Sequence, residues 1–195
     1  MNNSRRKFLR QSALAGAAFS LPFGKELMAM AGKSNAIGIQ LWTVKQALYK
    51  DTLGVLQHLS KCGYKQIEGF EGDLGIFWGM KNTELKKVLD DLGMKMVSSH
   101  CNNTQDFERK AAQAAEIGMK YLICPHKGAQ KSIDNFKRFS DEFNACGEIT
   151  KKNGLRFAYH NHDYSFVPMN GIVPQDLMMQ STNPDTVDFE MDMYW

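Results

Sequence analysis

The stretch TKKNGLRFAYHNHD, residues 150–163, decides the fold. A polar, helix-compatible run closes on Gly154. One apolar residue and one arginine follow. The chain then enters FAYH, an apolar β-type run, and ends on His160, Asn161, His162 and Asp163. The same phrase occurs in LSKCGYKQIEGF (59–70), LDDLGMKMVSSH (89–100) and AAEIGMKYLICPH (114–126). Each pairs a helix-ending glycine with a basic residue and a strand. A glycine just past a helix supplies the positive φ that such an ending favours.

Helices are expected upstream of these glycines, over 51–61, 82–92, 104–117 and 132–152, with N-caps at Asn82 and Thr104. Strands are expected over 36–42, 65–70, 94–101, 120–126, 155–162 and 187–194. Alternating strands and helices predict an α/β fold with a parallel sheet. No glycine-rich nucleotide turn follows any strand.

Strand parity then sorts the side chains. Gln40 and Trp42 share one face, opposite Ile39 and Leu41. His100 lies with Ser98, His126 with Cys124, and His160 with His162. Asp188, Glu190, Asp192 and Tyr194 alternate with Val187, Phe189, Met191 and Met193. Most strands therefore have one apolar face and one that turns polar at its C-terminal end. In a β/α barrel that second face points inward, and the C-terminal rim carries the active site.

The first thirty residues are of another kind. SRRKFLR (4–10) precedes the small, apolar QSALAGAAFSLPF, and Ala29-Met30-Ala31 offers a cleavage site. This pattern reads as a twin-arginine export signal over residues 1–31, with the export machinery as partner and the periplasm as destination. Arg5, Arg6, Lys7, Arg10 and Lys25 against Glu26 exceed the +3 of the whole chain. The remainder is close to neutral, which removes the electrostatic case for nucleic-acid binding. No apolar run is long enough to span a membrane. The four cysteines lack CxxC spacing, and Cys101 and Cys124 read as small buried residues.

GIQLWTV, GYKQIEGF, MKMVSSH, FAYHNHDYSF and FEMDMYW together resemble the xylose-isomerase-like TIM-barrel superfamily. More narrowly, they resemble its exported sugar phosphate isomerase/epimerase branch, over residues 36–195. The resemblance implies an α/β (β/α)8 barrel that binds a sugar or keto-sugar. It implies a divalent ion (manganese, magnesium, cobalt or zinc) held by a Glu, an Asp, a His and a Glu on strands five to eight. Asp192 matches the strand-six Asp. His160 stands where many relatives have the strand-five Glu, and an imidazole there favours zinc or a late transition metal.

A full barrel takes about 250 residues, whereas the chain ends at Trp195, after the sixth strand. The resemblance therefore implies an incomplete barrel over 32–195, without strands seven and eight. This reads as a truncated piece of a longer enzyme, expected to be inactive alone.

The expected roles are as follows. Asp192 and His160 are metal ligands, although a strand-end acid and a substrate hydrogen-bonder are the plainer alternatives. Glu68, His100 and His162 are expected to move protons. An ion pair with lysine for Glu68 and a buried backbone-bonded imidazole for His100 remain open. Gln40, Trp42, His126, Asp163, Tyr194 and Trp195 are expected to contact the sugar, the two tryptophans by ring stacking unless they are core. A metal that polarises a sugar carbonyl and a base that removes the neighbouring proton give isomerisation or epimerisation. The same enolisation with a leaving group gives a 3-keto-glycoside lyase. A barrel without catalytic ligands gives a sugar-binding protein. No phosphate-binding loop is legible.

Overall fold

The structure is a computed structural model that describes residues 36–195. The twin-arginine segment 1–31 lies outside the described residues. Six strands form one sheet in the order β1-β2-β3-β4-β5-β6, every neighbouring pair parallel. They are β1 (Gly38–Gln40), β2 (Gln66–Phe70), β3 (Lys95–His100), β4 (Tyr121–Cys124), β5 (Arg156–His160) and β6 (Val187–Glu190).

Helices α1 (Lys45–Lys50) and α2 (Thr52–Lys61) lie between β1 and β2. The later crossovers are α3 (Asn82–Asp91), α4 (Phe107–Glu116), α5 (Ile133–Lys152) and α6 (Pro174–Ser181). Gly63, Gly93, Gly118 and Gly154 have φ of 94°, 64°, 79° and 73°, so the repeated phrase ends each helix as expected. Among the described residues no helix is long and apolar enough to cross a membrane.

Several boundaries differ from the sequence expectation. β2 ends at Phe70 as expected, and the other strands stop one to four residues earlier than the apolar runs do, because their last residues turn into the rim loops. Lys81, not Asn82, caps α3, and its backbone N–H donates to Glu84 at 3.0 Å. Asn82 is buried inside the first turn and donates to Gln113 O and Glu116 Oε2 at 3.0 and 2.7 Å. Thr104 sits in a loop turn on Asn102 Oδ1, and Asp106 precedes α4 at a φ of 50°. Helix α6 carries no glycine phrase and begins on Pro174, whose fixed φ and missing N–H suit a first helical position.

One face of the sheet packs on the helices. Leu122, Phe157 and Tyr159 are fully buried there with Phe136 and Phe143 of α5. Phe143 stacks on Tyr159 at 5.0 Å, and Phe107 meets Phe157 edge-on at 5.9 Å. Each such ring contributes roughly 1.5–3 kcal/mol by leaving water. Cys101, Cys124 and Cys146 are free and buried, and burial pushes the Cys124 thiol up to about 12. They are packing residues, as expected.

The other face is concave. Glu68 on β2 and Glu190 on β6 are four strand spacings apart, roughly 19 Å on a flat sheet. Yet both belong to a group whose ligand atoms lie within 4.8 Å of one another. The sheet therefore curls around an interior, as a barrel wall does.

Candidate active site

The interior side chains come from one parity of each strand. Register pairs Gln40 with Glu68, Glu68 with Ser98, Phe70 with His100, and His160 with Glu190. At the C-terminal ends of the strands Gln40, Phe70, His100 and His160 border a cavity of about 910 Å³. Gln40, Trp42, His100, His126, His160, His162, Asp192 and Trp195 line it. Eight of the eleven expected site residues thus meet in one place.

Three do not line the cavity. Glu68 is not at the rim. Phe70 holds that level, and Glu68 lies two residues down the strand, inside the barrel. Asp163 accepts from Tyr164 N at 2.7 Å, within a 3-10 turn (Asp163–Phe166). Tyr194 is 83% exposed. His126 reaches the cavity although Cys124 faces the helices: β4 ends at Cys124, and Pro125 interrupts the alternation.

Two histidines form the floor, with ring centroids 5.0 Å apart. Their hydrogen bonds give them opposite tautomers. His160 Nδ1 lies 3.1 Å from Pro125 O, which can only accept. A proton is therefore on Nδ1, and in the neutral ring Nε2 carries a lone pair. That lone pair faces Asp192 Oδ2, a second acceptor, at 3.2 Å. Two acceptors face each other favourably only with a positive charge between them or on the ring. Asp192 is held below the ordinary carboxylate range, first by the Tyr194 N–H and then by His160. Asn161 fixes the segment by donating to Asp192 O at 3.0 Å and accepting from Asp192 N at 2.8 Å.

His100 is the reverse case. Gln40 Oε1 accepts from Trp42 N, so the Gln40 amide turns its NH₂ toward His100 Nδ1, 3.3 Å away. Nδ1 must accept, and the proton is on Nε2. That nitrogen points at Glu190 Oε2, 2.8 Å away, and Glu68 Oε1, 3.4 Å away. Ser98 Oγ donates to Glu68 Oε2 at 2.6 Å. Burial and the neighbouring Glu190 charge raise Glu68 to about 7. Burial also opposes ionisation of Glu190, but its hydrogen bonds with His100 and Glu68 outweigh this and hold it low. Glu68 therefore keeps a proton and Glu190 stays charged. Among the described residues these three form a group that can hold a metal ion.

His162 stacks between Tyr164 (5.5 Å) and Trp195 (5.0 Å), with its Nδ1 buried and unbonded. Burial and the adjacent His160 and His126 lower its pKa, so it is neutral.

The sequence reasoning missed four features. Glu190 had been read only as one of an alternating polar set. Glu71, the 102–105 loop and Lys127 also border the cavity. Glu71 and the 102–105 loop lie just past the ends of β2 and β3, and Lys127 three residues past β4; nearness to a strand end is the signal that marks them. Lys110, almost fully buried, pairs with Glu71 at 2.8 Å and donates to Asn102 O at 2.9 Å, which anchors the loop. Lys127 pairs with Glu142.

No protein-family profile matches the chain, and no curated relative is found. Solved structures do match. Two are sugar phosphate isomerase/epimerases from Parabacteroides distasonis. One is 30% identical, with a TM-score of 0.68 over 82% of this chain and 65% of its own. The other is 31% identical, with a TM-score of 0.72 over 82% of this chain and 69% of its own. The chain thus spans about two thirds of their length. A xylose isomerase-like TIM-barrel protein from Mycobacterium smegmatis, in complex with magnesium, is 11% identical with a TM-score of 0.54, over 74% of this chain and 57% of its own. That likeness is one of fold.

Proposed function

The chain belongs to the sugar phosphate isomerase/epimerase family of xylose isomerase-like TIM barrels, and on that premise we propose that it serves metal-assisted proton transfer next to a sugar carbonyl. Its six strands are an incomplete barrel of that type.

One observation carries the reading. His160 donates its Nδ1–H to the Pro125 carbonyl and turns Nε2 toward the Asp192 carboxylate at 3.2 Å. A carbonyl on the far nitrogen is how a metal-binding imidazole is oriented. These two side chains would hold the divalent ion, and the donor set of one imidazole and one carboxylate suits zinc, cobalt or manganese better than magnesium. The ion, when bound, polarises a sugar carbonyl and acidifies the adjacent C–H.

The chain's own residues supply the rest. Asn161 holds Asp192 in place through two backbone hydrogen bonds. Trp42 and Trp195 offer ring faces at the cavity edge, where a sugar's C–H face packs. The amides of Asn102 and Gln105 border the same space and suit hydroxyl groups. The magnesium of the Mycobacterium smegmatis barrel supports a divalent ion in this fold. The twin-arginine pattern of residues 1–31 supports export to the periplasm, testable by sequencing the N-terminus of the exported product.

The deciding assay incubates the protein with manganese and a set of ketohexoses and resolves the products by chromatography, with and without EDTA. An epimer or aldose that forms only with metal supports the proposal. Tight sugar binding that is indifferent to metal, with no product, contradicts it and leaves a binding protein. An unsaturated product from a 3-keto-glycoside would replace isomerisation by elimination.

A further inference from the structure

We propose that His100 is the proton-transfer base of this site, working through Nδ1, and that Glu190 is the carboxylate that positions it. The assignment rests on the isomerase/epimerase reading above and names the base that reading requires.

Gln40 and His100 line the cavity, and Glu68 and Glu190 do not. The imidazole therefore stands between the cavity and two carboxyl groups. Its Nε2–H is committed to Glu190 at 2.8 Å, with Glu68 at 3.4 Å. Its Nδ1 lone pair points toward Gln40, at a long 3.3 Å. A substrate group can displace so weak a hydrogen bond. A carboxylate behind the ring fixes the tautomer and stabilises the imidazolium that forms when the front nitrogen takes a proton.

The step balances without a co-reactant. His100 Nδ1 accepts the proton from the carbon next to the sugar carbonyl. The C–H electron pair becomes the enediolate double bond, and the carbonyl π pair moves onto oxygen. The ring now carries both N–H groups, and its Nε2–H still faces the Glu190 carboxyl group. Return of the ring proton to the adjoining carbon, while the hydroxyl proton passes to the other enediolate oxygen, completes isomerisation and restores neutral His100.

The same three side chains can hold a metal, and the hydrogen bonds argue against that use. A metal on Nε2 would move the ring proton to Nδ1, against the Gln40 NH₂. Gln40 could present its oxygen only by giving up Trp42 N. His160 has the opposite wiring. The two rings, 5.0 Å apart, divide the work into proton transfer and metal holding.

The test is long-range ¹H–¹⁵N spectroscopy of the ¹⁵N-histidine-labelled protein, before and after adding Zn²⁺. His100 is expected as the Nε2–H tautomer and His160 as the Nδ1–H tautomer, with Zn²⁺ shifting His160 Nε2 alone. Glu190→Gln should scramble the His100 tautomer. It should also lower kcat for the ketohexose reaction by about 100-fold or more, with KM within about threefold. An Nδ1–H form of His100, or a Zn²⁺ shift at its Nε2, overturns the proposal. So does an unchanged kcat in Glu190→Gln. Absence of a Zn²⁺ response at His160, with His100 still in the Nε2–H form, counts against the metal reading of the preceding subsection and supports the His100 assignment.

Discussion

His100 Nε2 lies 2.8 Å from Glu190 Oε2, although β4 and β5 stand between their strands in the sheet. The contact crosses the concave interior. It ties the sheet's curvature to the chemistry, because only a closed-up wall brings a β3 imidazole to a β6 carboxylate. Glu68 of β2 joins the same pair from the other side. Three side chains with no local sequence relation thus share one proton-linked cluster beneath the cavity.

The cluster predicts how stability depends on pH. Glu68 ionises near 7 in the folded protein against an ordinary 4.5. The native state therefore binds this proton more tightly than the unfolded chain does. Its contribution is fully present at low pH and is lost as pH rises through the window between those two values. Glu68→Gln should remove that decline, so its stability relative to wild type should be greater at about pH 8 than at about pH 5. Urea unfolding at both conditions measures this. An equal effect at both would show that Glu68 is not held protonated.

Asp192→Asn should lower manganese affinity by about 100-fold, and Asn161→Ala by about tenfold, because the second loses only the clamp on the ligand. Both variants should stay folded. Isothermal titration reads the affinities, and an unchanged value in Asp192→Asn would remove this residue from the metal site.

The Lys110–Glu71 pair should matter for stability. The Lys110 side chain is only 7% exposed, and Glu71 also accepts from Asn102 N at 2.6 Å. Glu71→Gln leaves a buried ammonium without its counter-charge, at a cost of about 3 kcal/mol. Urea unfolding of the two single variants and the double variant separates the pair's coupling from the loss of either partner.

Close packing of α5 on β6 gives a fourth expectation. A Cβ on Gly147 would stand 2.7 Å from Thr186 Oγ1 and 2.9 Å from Thr186 Cβ. Gly147→Ala should therefore cost roughly 1–3 kcal/mol, since the helix must move off the strand. The thermal unfolding midpoint is the readout, and a neutral result would mean that the helix yields more easily than this spacing suggests.

The glycine phrase made the sheet legible, because helix endings and strand entries are local events set by a few adjacent residues. Parity made the inward faces legible through Gln40, His100, His160 and Asp192. It failed at His126, where Pro125 ends the strand, and at the height of Glu68, which depends on where β2 meets the rim. The helix starts differ at Asn82, whose side chain a tertiary contact claims, and at Thr104, which a local turn on Asn102 holds outside the helix. Glu190 was visible as the neighbour of Asp192 on one face of FEMDMYW. Its meeting with His100 was not, because that contact depends on the curl of the whole sheet.

Deuterium incorporation into a ketohexose in D₂O, at the carbon next to the carbonyl, tests the central claim most directly. With manganese present and the barrel complete, the account predicts exchange by the wild-type protein, and loss of that exchange in EDTA and in Asp192→Asn. Exchange that persists without metal, or sugar binding with no exchange at all, would contradict it.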